Sequence, residues 1–430
     1  EESMTADQVI WSEQGRLHLS YKGDIDAENV ITIQSDIDGN FGSSATIVEA
    51  GMTTHGIRLN DTVIVSNANV TVKCLVTAID GADVTVAPYD GVAIAVLATN
   101  LATTILVYGS EYAKGTGYNA AAAATVESRG ANEPDFKTFS NKPIILKDYY
   151  EVSGSDASRI GWVEITGEEG QSGYLWYLKA EADTRARFND YVEMAMLEGV
   201  KGSNTNAVDT FLGGVIAGND ELVGTEGLFA AIESRGNLTS GITGVNAATD
   251  LAEFDAILAE FDKQGAIEEN MMFVNRATSL AMDDMLASMN SYGAGGTSYG
   301  VFDNEEDMAL NLGFSGFRRG SYDFYKSDFR YLNDLATRGG INAASAANAI
   351  RGVIIPAGTS TVYDQQLGKN LKRPFLHVRY RASQTDNRKM KTWTTGSVGA
   401  STSALDAMQV HMLSERCLVT QGANNFMLMK

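Results

Sequence analysis

The histidines stand at His18, His55, His377 and His411, and no two of them share a spacing that would turn both imidazoles onto one metal ion. Cys74 and Cys417 lie in apolar alternating runs and match no metal spacing, which reads as two buried free thiols. There is no P-loop, no G-x-S-x-G elbow and no H-E-x-x-H pair. Asp36, Asp38 and Asn40 open like a calcium loop, but its sixth and twelfth positions, which need Gly and Glu, hold Phe41 and Ile47, so a plain turn is expected. Gly293-Ala294-Gly295-Gly296 has no clear strand before it and no helix opening after it, and reads as a loop rather than a phosphate cradle. The chain has 54 acidic residues, and none pairs with a base at a legible catalytic spacing. The expectation is no catalytic residue, no metal and no cofactor: not an enzyme.

Charge narrows the partners. The net charge of −21 and the pI near 4.6 argue against a general nucleic-acid binder, whose footprint is basic. One segment runs the other way. Lys369, Lys372, Arg373, Arg379, Arg381, Arg388, Lys389 and Lys391 share their stretch with a single acid, Asp386. They could line a phosphate contact, but the acid excess elsewhere favours contact with acidic faces of neighbouring copies. The run Asp303-Asn304-Glu305-Glu306-Asp307 reads as a solvated loop or an interface rim. No apolar stretch reaches the 18 residues of a membrane span, and the N-terminus shows no apolar signal core; Glu1 is either a processed end or a trimmed one.

The longest legible element is a helix within Gly173–Gly202. Phe188, Tyr191, Val192 and Ala195 recur at helical spacing, and Glu181 to Arg185 and Asp183 to Arg187 are acid-before-base pairs. Gly199 and Gly202 end it. Residues 1–30 read as an arm that packs on something else, followed by a short strand at Val30–Ile33. Residues 56–108 read as a compact β module of four or five strands: Val70, Val72, Cys74 and Val76 alternate with polar neighbours, and Asp80-Gly81 signals a hairpin. Lys142–Val152 and Ile160–Ile165 read as a two-strand arm, barely stable alone and so in need of a partner surface. After the long helix, helices at Thr225–Ser234, Thr249–Lys263 and Arg276–Met289 mix with strands at Asn270–Val274, Phe314–Leu332, Val353–Ile355, Phe375–Tyr380 and Met408–Thr420. The fold class is α+β, and 430 residues exceed one ordinary core.

This order of parts resembles the major capsid proteins of tailed bacteriophages with the Hong Kong 97 capsid fold. The resemblance is carried by LNDTVIVSNANVTVKCLVTAIDGADVTVAPYDG, YGSEYAKGTGYNA, NKPIILKDYYEVSGSD, the central helix and GTEGLFAAIESRGN. The stretch from NKPIILKDYY into the helix is similar to capsid proteins of crAss-like phages. The resemblance implies an N-terminal arm (1–30), an extended hairpin loop (31–172) with an inserted small β-barrel (about 56–108), and a peripheral domain with its spine helix (173–240). An axial domain (241–370) and strands returning to the peripheral domain (371–430) complete it. Phe139–Ile165 would lie over an adjacent subunit. It implies a subunit that self-assembles as pentamers and hexamers into an icosahedral head around double-stranded DNA, without sequence-specific binding. Portal, scaffold and decoration or head-fibre proteins would be its other partners. It would lie in the virion capsid, assembled in the bacterial host cytoplasm, with no membrane. Tyr150, Arg159, Trp162, Trp176, Arg185, Arg187, Arg379 and Arg381 are the residues expected at contacts between copies. Some members cross-link subunits through lysine and asparagine; Asn141, Lys142 and Lys147 lie in the loop, but nothing marks them as reactive.

Three other readings stand beside it. An encapsulin-like compartment shell would share the fold and hold cargo enzymes. An extracellular adhesin or sugar-binding β protein is opposed by the long charged helix and the missing signal core. A hydrolase lacks a candidate residue set.

Overall fold

The computed structural model describes residues 1–15, 17–27, 29–37, 55–68, 70–92, 94, 103–115, 136–158, 165–166, 172–173, 176–202, 208, 211–212, 223–239, 247–265, 267–290, 316–364, 369–398 and 401–430. They form two compact units: Glu1–Trp11 with Phe139–Lys430, and Ser12–Thr138.

The chain starts with β1 (Glu2–Met4) and β2 (Val9–Gln14). The second unit then builds a closed barrel from β3 (Ser20–Ala27), β4 (Val30–Asp36), β5 (Asp61–Ser66), β6 (Thr71–Asp80), β7 (Asp83–Pro88) and β8 (Thr103–Ser110). Their order round the barrel is β3-β4-β7-β6-β5-β8, every pair antiparallel. The period-two pattern sets which side chains point inward: Val63, Val65, Val72, Cys74, Val76, Val84, Val86, Ile31, Ile33 and Ile105 fill the interior. Asp80-Gly81 does turn the β6–β7 hairpin, with Gly81 at φ +61°.

The barrel exceeds the 56–108 module expected from sequence, because two of its six strands come from the stretch read as arm and lone strand. The reason lies in β3. Register shifts between Lys22 and Gly23 and between Ile25 and Ala27 break its alternation, and Gly23 leaves no side chain to mark a face. Gly23 is required there, since a Cβ would sit 2.6 Å from the Thr32 carbonyl oxygen.

In the first unit, β9 (Phe136–Asn141) pairs with β2, and β10 (Ile144–Ser153) follows. A short helix α1 (Gly154–Ala157) and the pair β11 (Ile165–Thr166) and β12 (Ser172–Gly173) precede α2 (Trp176–Glu198). Then come α3 (Leu228–Arg235), β13 (Asn237–Thr239), α4 (Ala247–Gln264), β14 (Glu269–Val274) and α5 (Arg276–Asn290). β15 (Gly316–Arg319), β16 (Tyr322–Asp328), α6 (Arg338–Ala344) and β17 (Gly352–Pro356) lead to the hairpin β18 (Thr359–Asp364) and β19 (Lys369–Pro374). β20 (Leu376–Arg381), β21 (Lys391–Gly396), β22 (Ala407–Thr420) and β23 (Met427–Met429) end the chain.

Besides the two-stranded pairs, these strands make two larger sheets. One runs β1-β20-β22-β10 with β21 also on β22; the other runs β13-β23-β17-β14-β16-β15. α2 packs Phe188 and Val192 against Met412 and Leu146 on one face of the first sheet. α4 packs Phe254, Ile257 and Phe261 against Met272, Phe317 and Phe324 of the second. A third cluster, including Met196, Ile232, Leu418, Phe426 and Leu428, joins them.

Three further expectations change. β10 is not half of a free arm with Ile160–Ile165: all ten of its residues pair with β22, from Ile144 opposite Arg416 to Ser153 opposite Ala407. A strand that long needs a partner of equal length, and β22, at fourteen residues, supplies it. The C-terminus does not wholly return to the sheet beside the helix, because β23 inserts between β13 and β17 of the second sheet. The helix within 173–202 spans 23 residues, or about 35 Å, and Tyr191 falls off its buried stripe, which continues instead to Met196. Gly199 terminates it by necessity: a Cβ there would be 2.6 Å from the carbonyl oxygens of both Ala195 and Thr225. Asp38–Asn40, Ile160–Glu164, Gly293–Gly296 and 299–308 lie outside the described residues, as does most of 109–139.

Candidate interaction surface

Among the described residues no group of three His, Cys, Asp or Glu could hold a metal ion. Burial pushes the Cys74 thiol up to about 11 and the Cys417 thiol up to about 12. Among the described residues no helix is long and apolar enough to cross a membrane.

What the first sheet does offer is an uneven pair of faces. Alternate residues of β10 and β22 face α2, and Leu146 and Met412 pack against it. The intervening residues face the other way, and there the register sets three rings in a row: Tyr149 opposite His411, and His411 opposite Trp393. Tyr149 and His411 are 6.0 Å apart between ring centroids, and His411 and Trp393 are 5.2 Å apart at 16°. The Thr395 hydroxyl contacts His411 Nε2 at 2.7 Å, fixing the ring from the side. Next along the strands, Gln409 donates to Glu151 at 2.6 Å and Thr395 donates to Gln409 at 3.1 Å. Lys391 places its ammonium 6.0 Å from the Trp393 ring centre. Tyr149 is 57% exposed, Ile145 52% and Trp393 38%. These large side chains on a period-two pattern are left in water on the face away from α2, the usual mark of a contact surface.

The basic segment has its partners nearby. β1 lies parallel to β20, with Glu2, Ser3 and Met4 opposite Arg379, Tyr380 and Arg381. Glu2 bridges Arg373 at 3.1 Å and Arg379 at 2.8 Å, and Asp7 meets Arg381 at 2.7 Å. Glu1 pairs with Lys389 and, at 3.4 Å, with Arg416. Arg388 pairs with Glu415, and Lys391 with Asp386 at 2.7 Å. Six of the eight basic residues, Arg373, Arg379, Arg381, Arg388, Lys389 and Lys391, thus pair with acids of the chain's own N-terminus, of β22 and of the segment itself. Lys389, through a hydrogen bond, holds the Glu1 carboxyl below its usual range.

The residues expected at contacts fall into several places. Arg379 and Arg381 are engaged by the arm. Tyr150 is half-buried and shares the helix-facing parity of Leu146 on β10; burial first and then the charge of Glu181 on α2 raise its hydroxyl pKa. Arg185 pairs with Glu181 at 2.6 Å on the helix flank, and Arg187 is exposed. Trp176 opens α2, though its side chain lies outside the described residues, as do Arg159 and Trp162. Asn141 is spent in the fold: fully buried, its amide donates to Glu226 O and Leu418 O and accepts from the Glu226 and Lys142 N–H groups. The ring row itself was missed. Alternation along Lys142–Val152 could have placed Tyr149 on the face opposite Tyr150, but only the register brings His411 and Trp393 to it.

No protein-family model matches the chain, and no curated protein does. Solved structures do resemble it. A chain of the bacteriophage PhiM1 mature capsid superposes with a TM-score of 0.37 at 8% identity, covering 75% of this chain and 78% of that one. The capsid of cyanophage P-SCSP1u gives 0.37 at 8% identity, covering 75% and 80%. A chain from Microbacterium phage Oxtober96 gives 0.35 at 8%, covering 73% and 81%.

Proposed function

We propose that the chain is the major capsid protein of a tailed bacteriophage with the Hong Kong 97 fold, related to those of crAss-like phages. Copies assemble as pentamers and hexamers into an icosahedral head around double-stranded DNA. The observation that carries this reading is the exposed patch on the first sheet: α2 packs on one face, and Ile145, Tyr149, His411 and Trp393 stand together on the other. A shell subunit keeps part of its stability in interfaces of about 2,000 Å² or more, so such a patch is exposed only until copies meet. α2 is the spine helix of a peripheral domain, and the second sheet with α4 and α5 is the axial domain. The barrel is a separate unit added to that plan.

The charge of −21 fits a container wall that does not hold DNA tightly. Portal, scaffold and decoration or head-fibre proteins are the further partners, and assembly takes place in the host cytoplasm. Arg185 and Arg187, on the exposed flank of α2, remain candidates for contacts between copies.

Negative-stain microscopy with light scattering on the purified chain tests this. Rings of five or six, or closed shells, support it. A 46.1 kDa monomer that stays inert with a scaffold supplied contradicts it. The encapsulin-like alternative is separated by content: a cargo enzyme in the shells in place of DNA favours it.

A further inference from the structure

The barrel carries a shallow, open depression on its outer wall, lined by Thr62, Lys73, Tyr89, Tyr108, Ser110 and Glu111 over the bare backbone of Gly109. Thr62, Lys73 and Tyr108 belong to the outward-pointing sets of β5, β6 and β8, three neighbouring strands whose inward sets fill the core. The β5–β8 register shifts between Thr62, opposite Gly109, and Val63, opposite Val107, which leaves Tyr108 as the bulged residue at that point.

The lining is held in place from behind. The Glu111 N–H donates to Asn60 O at 3.0 Å, and Asn60 Nδ2 donates back to Glu111 O at 2.8 Å. The Tyr89 N–H donates to Lys73 O at 3.1 Å, and the Tyr89 hydroxyl donates to the Glu111 carboxylate. Tyr89 and Tyr108 nonetheless leave about half of each ring in water, at 52% and 50%.

The chemistry of this lining selects a class of ligand. Two phenol rings offer apolar faces with polar edges. One ammonium and one carboxylate make the lining neutral overall, so an anion would meet Glu111 and a cation would meet Lys73. A neutral ring that carries hydroxyls uses all of it. Its C–H face packs on tyrosine, its hydroxyls donate to Glu111, and they accept from Lys73 and the Ser110 hydroxyl. We infer that this open tyrosine-lined depression binds neutral sugar units, hexose or N-acetylhexosamine, independently of whether the chain builds a shell.

Saturation-transfer NMR on the full chain tests it, with methyl β-galactoside, methyl α-mannoside and di-N-acetylchitobiose as the probes. The expected result is transfer to the ring C–H protons of at least one probe. That transfer is lost, with binding at least about tenfold weaker, in a chain carrying Tyr89→Ala and Tyr108→Ala. Lys73→Met, at an exposed strand position, weakens binding several-fold with both rings kept, and circular dichroism on the same samples checks the fold. No transfer from any of the three probes overturns the inference, and so does equal transfer in the double variant and in Lys73→Met.

Discussion

Trp393 and His411 lie ring over ring, 5.2 Å between centroids, at directly opposed positions of β21 and β22 on the sheet face away from α2. Tyr149 continues the row on β10. Cross-strand aromatic pairs contribute to a sheet's stability, yet this row leaves much of its apolar area in water. That combination ties the geometry of one chain to the assembly proposed for many.

Replacing both Tyr149 and Trp393 by Ala should abolish association and spare the fold. Both side chains are substantially exposed, so unfolding free energy should fall by only about 1 kcal/mol. Sedimentation velocity and thermal melts on the same samples separate the two effects. A double variant that assembles like the parent would remove this face from the interface.

The N-terminal strand should loosen with acid in two stages. His377, on β20, has its pKa lowered below 6.5, first by burial and then by the charges of Arg379 and Arg373. The folded state therefore takes up this proton less readily than the unfolded chain, and stability declines as pH falls below 6.5. The Glu1 carboxyl is held below 4.5 by Lys389. Its contribution is present above 4.5 and is lost as pH falls through the lower folded value. Amide protection factors for 2–4 and 376–381 at pH 7.5, 5.5 and 3.5 should fall stepwise, and a flat profile would contradict the ion-pair account.

Neither thiol should react while the chain is folded. Cys74 and Cys417 are fully buried, with thiols pushed up to about 11 and about 12, so almost no thiolate exists at pH 8. A disulfide-exchange reagent should titrate none in buffer and two in denaturant. Rapid labelling of one in buffer would show that its site opens.

A proline at Asn189, inside α2, should cost about 3 kcal/mol or more and unsettle the Phe188 and Val192 contacts with Met412. The barrel has its own core, so calorimetry should show its transition kept while that of the larger unit drops. Assembled shells from this variant would count against α2 as the spine of the subunit.

The sequence was most readable where a simple period met a complete surface. α4 announces Phe254, Ile257 and Phe261, and β6 announces Val72, Cys74 and Val76, because each element buries one regular stripe. It was least readable where pairing decides. β3 hides behind two register shifts and Gly23, and β10 gives no sign that its partner lies more than 250 residues away at Ala407–Arg416. The basic segment shows the same limit: its charge was plain, but only the parallel pairing of β1 with β20 identifies Glu2 as a partner for Arg379. The ring row needed both registers at once.

The most direct test of the central claim is the mass and form of the purified chain, by light scattering and negative-stain microscopy, with Tyr149→Ala/Trp393→Ala alongside. The account predicts five- or six-membered rings or closed shells for the parent, and folded monomers for the double variant. A parent chain that remains a monomer of 46.1 kDa, even with a scaffold supplied, would contradict it.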